Sequence, residues 1–146
     1  MTDETRAAWA RMLTSDEGTG PIVRGRLMPY ADSAGYLTVG IGRCIELRGI
    51  SREEADYLLA GDMRDVLQEM AQAFPWALAM SEARQMVLAS MLFNLGLTKL
   101  KKFHATLGAM QAGDYRTAAA QMRQSKWAKQ TKGRAERLAV MMETGA

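Results

Sequence analysis

Residues 30–43 read Tyr30-Ala31-Asp32-Ser33-Ala34-Gly35-Tyr36-Leu37-Thr38-Val39-Gly40-Ile41-Gly42-Arg43, and no helix can absorb them. Leu27-Met28-Pro29-Tyr30 and Tyr36 to Ile41 read as two short strands joined at Asp32-Ser33-Ala34-Gly35, where Gly35 suits the positive φ of a tight turn. Pro29 has to lie where the ladder needs no donor. Glycines recur from Gly18 to Gly49, with Pro21 and Pro29 among them, so the extended region is bounded on both sides.

Outward from this hairpin the pattern turns helical. Thr2, followed by Asp3 and Glu4, reads as a helix start, with Ala8, Trp9, Met12 and Leu13 on one face and an end near Thr14. Ser51-Arg52-Glu53-Glu54 is a capping box opening a long helix, whose Ala55, Leu58, Leu59, Met63, Val66, Leu67 and Met70 form one apolar stripe until Phe74-Pro75 stops it. Ser81 caps the next helix, to Leu95 with Gly96 behind it; Met86 to Phe93 is apolar nearly all round and reads as the buried centre of a bundle. Leu100, Phe103, Leu107 and Met110, then Ala118 to Met122, then Leu138, Met141 and Met142 mark further helices punctuated by Gly113 and Gly133. The fold class that follows is α+β, mainly helical.

Composition bounds the function. At 146 residues and 48% hydrophobic, the chain is of one-domain size and packs a core, which excludes collagen-like and disordered classes. Twelve methionines are gap-fillers in that core. One cysteine and one histidine can form neither an internal disulfide nor a His/Cys zinc cage, and no glycine-rich nucleotide loop is present, so no metal and no cofactor is expected. Met1 to Leu13 carries Asp3, Glu4, Arg6 and Arg11 and lacks the apolar core of a secretory signal or anchor. Charge is uneven: nine basic residues against thirteen acidic in 1–98, net −4, and ten against three in 99–146, net +7. A basic half favours a polyanionic partner, whether nucleic acid or an acidic wall or membrane surface.

Few side chains are placed for chemistry. His104 reads as structural or exposed, and Cys44 as a small apolar filler. The acids Asp16-Glu17 lie where the first helix gives way, and Asp32 stands six residues before Thr38. A carboxyl just past a helix end and backed by apolar residues can keep its proton and act as an acid, while a carboxylate on a solvated turn stays ionised. Two such groups with a hydroxyl suit cleavage of a sugar acetal. The same acids suit the bland role of capping backbone amides.

Asp16-Glu17-Gly18 and Tyr30 to Arg43 together resemble the signature of phage-type lysozymes, the bacteriophage endolysins of glycoside hydrolase family 24. Phe93-Asn94-Leu95-Gly96 resembles that family's central-helix motif, and Ser125-Lys126-Trp127, Gln130-Thr131, Gly133-Arg134-Ala135 and Arg137 its C-terminal segment. The resemblance implies one lysozyme-like domain over 1–146, with a β-hairpin lobe at about 16–50, a linking helix at about 51–73, and a helical lobe at about 75–146 that also takes helix 2–13. It implies Glu17 as general acid, Asp32 as second catalytic carboxylate and Thr38 as the hydroxyl that positions water. Phe93 and Asn94 match cleft-lining positions, Trp127 and Gln130 supports, and Arg134 a buried arginine near the acid. Arg43 stands where other members often have His, and no catalytic duty is expected there. Fourteen residues separate Glu17 from Asp32 where about eight are usual, which implies an insertion around Thr19 to Arg26.

What the resemblance implies for activity is hydrolysis, with inversion, of the β-1,4 bond between N-acetylmuramic acid and N-acetylglucosamine in peptidoglycan. The implied setting is a monomer in the host cytoplasm that reaches the wall after a holin-type membrane protein permeabilises the membrane, with no nucleic-acid partner. Two other readings remain at this point. One is a lytic transglycosylase, leaving an anhydro-muramic end. The other is a helical nucleic-acid-binding module using Lys99, Lys101, Lys102, Arg116, Arg123, Lys126, Lys129 and Lys132.

Overall fold

The first helix, α1 (Asp3–Glu17), begins as its sequence requires: the Thr2 hydroxyl accepts from the Thr5 amide at 3.2 Å, with Asp3 and Glu4 at the positive end of the helix. It does not stop near Thr14. Gly18 ends it instead, its N–H returning to the Thr14 carbonyl at 3.1 Å, so Asp16 and Glu17 complete the last turn. The face formed by Ala8, Trp9 and Met12 is exposed, Trp9 at 52%.

This computed structural model describes residues 1–131 and 133–146; Lys132, counted above among the basic residues, lies outside the described residues. Contacts divide the chain into two compact units, Met1–Asp56 and Tyr57–Ala146. In the first, β1 (Ile22–Val23) and β2 (Arg26–Leu27) form a hairpin of their own, Ile22 opposite Leu27. A three-stranded antiparallel sheet follows, ordered β3 (Tyr30–Ala31), β4 (Leu37–Val39), β5 (Arg43–Cys44), with Thr38 opposite both Tyr30 and Cys44. The strand read as Leu27 to Tyr30 is therefore two strands. Pro29 has no N–H to offer a ladder, and the Met28 amide turns back to the Pro21 carbonyl at 2.8 Å. The residues of the implied insertion thus take part in a second hairpin. A one-turn helix, α2 (Ile45–Arg48), closes the region.

The capping box forms at the start of α3 (Arg52–Ala73): Ser51 Oγ accepts from the Glu54 amide at 3.1 Å, and Glu54 Oε2 accepts from the Ser51 amide at 2.6 Å. The apolar stripe is present, yet only its C-terminal end reaches a core. Met70 is buried and Val66 partly so, while Leu58, Leu59, Met63 and Leu67 are exposed. At 1.5 Å per residue this helix is about 33 Å long, and it outruns the core it packs on.

In the second unit a 3₁₀ turn, Pro75–Ala79, leads into α4 (Glu82–Leu95), α5 (Leu97–Leu100), α6 (His104–Gln111), α7 (Tyr115–Gln124), α8 (Lys126–Thr131) and α9 (Gly133–Thr144). Its core gathers Val87, Leu88, Met91 and Leu92 of α4 with Met110, Ala118, Ala119, Met122, Leu138, Ala139 and Met142. Met91, Met110, Met122 and Met142 pack in this core with Ala118, Ala119 and Ala139, whereas Met1, Met12, Met28, Met63 and Met86 are exposed, so the methionines are core fillers only in part. The centre is not buried all round. Met86 and Phe93, seven residues apart and so on one face of α4, are 54% and 52% exposed. Arg84, in the first turn of α4, gives Nε to the Met142 carbonyl at 2.9 Å and Nη2 to the Glu143 carbonyl at 3.2 Å, and lies 3.7 Å from the centroid of the Tyr115 ring. A cation thus satisfies carbonyls at the negative end of α9. Among the described residues no helix is long and apolar enough to cross a membrane.

Candidate active site

Three of the residues singled out from sequence fall in the first unit, and the hairpin turn organises two of them. The turn closes through Asp32 N–H to the Tyr36 carbonyl and Gly35 N–H to the Asp32 carbonyl, each at 2.9 Å. Asp32 Oδ1 accepts from the Ala34 and Tyr36 amides, both at 2.9 Å. One oxygen is thereby committed to the turn, and the side chain is held with its other oxygen, Oδ2, turned to Thr38 Oγ1 at 3.5 Å. Thr38 is 2% exposed, and its hydroxyl also donates to the Tyr36 carbonyl at 3.3 Å. The amide-capping role weighed for Asp32 thus falls to Oδ1 alone, and Oδ2 lies beside the Thr38 hydroxyl.

Strand β4, which carries Thr38, is held from a second direction. Glu46 of α2 accepts from the Leu37 amide at 2.9 Å. Sequence reasoning missed Glu46, since nothing local links a one-turn helix to a strand nine residues earlier. Glu17 is exposed and is the last residue of α1, so it is not the apolar-backed carboxyl beyond a helix end that the sequence suggested. Its side chain lies against Gly42, in the turn that follows β4: a Cβ built on Gly42 would stand 3.0 Å from Glu17 Oε2. Both acids are therefore associated with the same stretch of chain, Asp32 through Thr38 within β4 and Glu17 through Gly42 just past its end.

Arg43 is occupied structurally, donating Nε to the Gly49 carbonyl at 3.0 Å and Nη2 to Glu54 Oε2 at 2.6 Å. The Ser51 amide above all holds the Glu54 carboxyl below its ordinary value; desolvation opposes it, and the Arg43 guanidinium adds further lowering. A carboxyl depressed in the folded state stabilises the fold above its unfolded value of 4.5, and that contribution fades as pH falls through the lower folded value. The melting-temperature gap between wild type and Glu54→Gln should therefore be widest near neutral pH and narrow below pH 4.5. A gap that stays constant down to pH 3 would contradict this.

The remaining candidates lie in the second unit. Trp127, 3% exposed, donates Nε1 to Asn94 Oδ1 at 2.8 Å and so fixes the exposed Asn94 at the end of α4, beside the exposed Phe93 ring. Gln130 is exposed on α8. Arg134 is exposed as well, which corrects the buried arginine implied by the resemblance. The core stripe of α9 runs through Ala135, Leu138, Ala139 and Met142, and Arg134 falls off that stripe. His104 is exposed, and Cys44 is a free, half-buried thiol at the cap of α2. Of the basic residues considered for nucleic-acid contact, Arg123 is engaged by Glu136 at 3.0 Å and Glu143 at 3.1 Å, which holds its proton more tightly than usual.

A mainly helical chain with a small antiparallel lobe, in which a turn aspartate faces a buried threonine, has a lysozyme-like α+β fold. The family model for phage lysozyme matches residues 23–141, and the chain belongs to that family. It is 33% identical to the pre-baseplate central spike protein Gp5 of Enterobacteria phage T4, over 98% of this chain and 29% of that protein. It is 34% identical to the SAR-endolysin of Escherichia phage Mu, over 68% of this chain and 57% of that one. With "Probable T4-type lysozyme 2" of Dictyostelium discoideum it shares 26% identity over 92% of both. The chain thus spans less than a third of the spike protein and just over half of the SAR-endolysin.

Proposed function

We propose that this chain is a peptidoglycan-hydrolysing endolysin that cuts the β-1,4 bond between N-acetylmuramic acid and N-acetylglucosamine with inversion. The observation that carries the reading is the pairing of a buried Thr38 hydroxyl with the one Asp32 oxygen not taken up by the turn. A half-buried aspartate fixed by two amides has no structural need of a buried hydroxyl beside its second oxygen. A water held there has an acceptor for its proton in Asp32 Oδ2 and a partner for its oxygen in Thr38 Oγ1.

The proposed step is a single displacement. Glu17 gives its proton to the leaving O4 of N-acetylglucosamine as the glycosidic C–O bond breaks. The water oxygen bonds to C1 of N-acetylmuramic acid from the opposite face, and the water proton passes to Asp32. Phe93 and Asn94 contribute to glycan binding, with Trp127 supporting Asn94 through its indole N–H and Gln130 as a second support. The basic half of the chain, net +7 over 99–146, draws it to the negatively charged wall. The chain works as a monomer without a cofactor, and reaches the wall once a holin-type protein opens the membrane.

The test is turbidity. Gram-negative cells expressing the chain should clear rapidly once chloroform permeabilises the inner membrane, and purified chain should clear permeabilised cells added to it. No clearing in either format overturns the proposal.

A further inference from the structure

Glycine 42 stands 25 residues from Glu17 in sequence, yet the Glu17 side chain is laid along it. A Cβ placed on Gly42 would meet three successive Glu17 atoms, Oε2 at 3.0 Å, Cδ at 3.3 Å and Cγ at 3.4 Å. The backbone at Gly42 is pinned by its N–H to the Gly40 carbonyl at 3.1 Å, and its φ is +65°. The bare face of this residue is thus the surface on which the acid rests. We infer that Gly42 is a positioning residue for the general acid: by lacking a side chain, it lets the Glu17 carboxyl approach β4 from the end opposite the Asp32 turn. The inference rests on the proposed role of Glu17 as acid.

A methyl group at this position would move the carboxyl by a few tenths of an ångström. Proton transfer to a leaving oxygen depends on hydrogen-bond reach, and displacements of about 1 Å can cost about a hundredfold. Gly42→Ala should therefore lower wall-lysing kcat about tenfold. Backbone strain is a confounding effect, and the molecule supplies its control. Gly49 has φ +64° and nothing within 4 Å of the position a Cβ would take, so Gly49→Ala carries the same strain without touching Glu17.

Both variants should melt at similar temperatures below wild type, and only Gly42→Ala should lose rate per folded molecule. A second readout separates positioning from general damage. On a synthetic β-linked N-acetylglucosamine oligosaccharide with a dinitrophenolate leaving group, which departs without a proton, the Gly42→Ala deficit should largely vanish. Equal rates for Gly42→Ala and Gly49→Ala, an equal deficit on both substrates, or a Gly42→Ala chain that fails to fold where Gly49→Ala folds would each overturn the inference. Glu17→Gln distinguishes the two levels. If that variant still lyses walls, the acid assignment fails and the inference with it. If it is inactive while Gly42→Ala matches Gly49→Ala, only the positioning role fails.

Discussion

Replacing Glu17 by Gln is expected to lower wall-lysing kcat by about 10²- to 10⁴-fold, the usual contribution of a general acid. Stability should hardly change. Glu17 is exposed at the end of α1, and surface substitutions of that kind move stability by no more than about 0.5 kcal/mol. Gln keeps the length and shape of the side chain along Gly42 and removes only the proton that O4 of the leaving sugar needs. Substrate binding should persist, so the loss belongs in kcat rather than KM. A Glu17→Gln chain that clears permeabilised cells at a rate within a few-fold of wild type would remove the acid from the mechanism.

The second large effect is at Asp32, where two substitutions separate two duties. Asn retains an oxygen that can accept from the Ala34 and Tyr36 amides, so the turn should survive and the melting temperature should stay near wild type. Its NH₂ then takes the place of Oδ2 beside Thr38 and cannot accept a proton from water. Turnover should fall about a hundredfold or more. Ala removes both duties: the same loss of rate should come with about 1–3 kcal/mol of destabilisation, from two hydrogen bonds worth about 0.5–1.5 kcal/mol each. An Asp32→Asn variant that keeps its rate while Asp32→Ala loses it would show that Asp32 serves the turn alone.

These two acids were unequally legible in the sequence. Asp32, Gly35 and Thr38 lie within seven residues, so turn chemistry and strand alternation bring them together without help from the rest of the chain. Local rules also predicted the Ser51–Glu54 box, the Ser81 cap and the mainly helical α+β class. Glu17 was harder, because Asp16-Glu17-Gly18 reads as the start of a loop, whereas a helix needs only Gly18 to stop. Nothing near Glu17 points to Gly42, and a contact across 25 residues has no local signal.

The inserted hairpin was missed for a related reason. Its strands are two residues each, and its turn places Arg24 at φ 50° where Asn or Gly would have announced it. The exposed stretch of α3 and the exposed Met86–Phe93 face of α4 mark a further limit. An apolar stripe declares a face that can be buried, and the surrounding elements decide how much of it is.

In the proposed reaction water, rather than the sugar itself, is the nucleophile, under the control of Asp32 and Thr38. Walls digested by the wild-type chain in ¹⁸O-enriched water and resolved by mass spectrometry test this directly. Each cut should leave a reducing N-acetylmuramic acid carrying one heavy oxygen at C1, and an unlabelled N-acetylglucosamine at the other new end. Ends recovered as 1,6-anhydro-muramic acid, with no heavy oxygen incorporated, would contradict it.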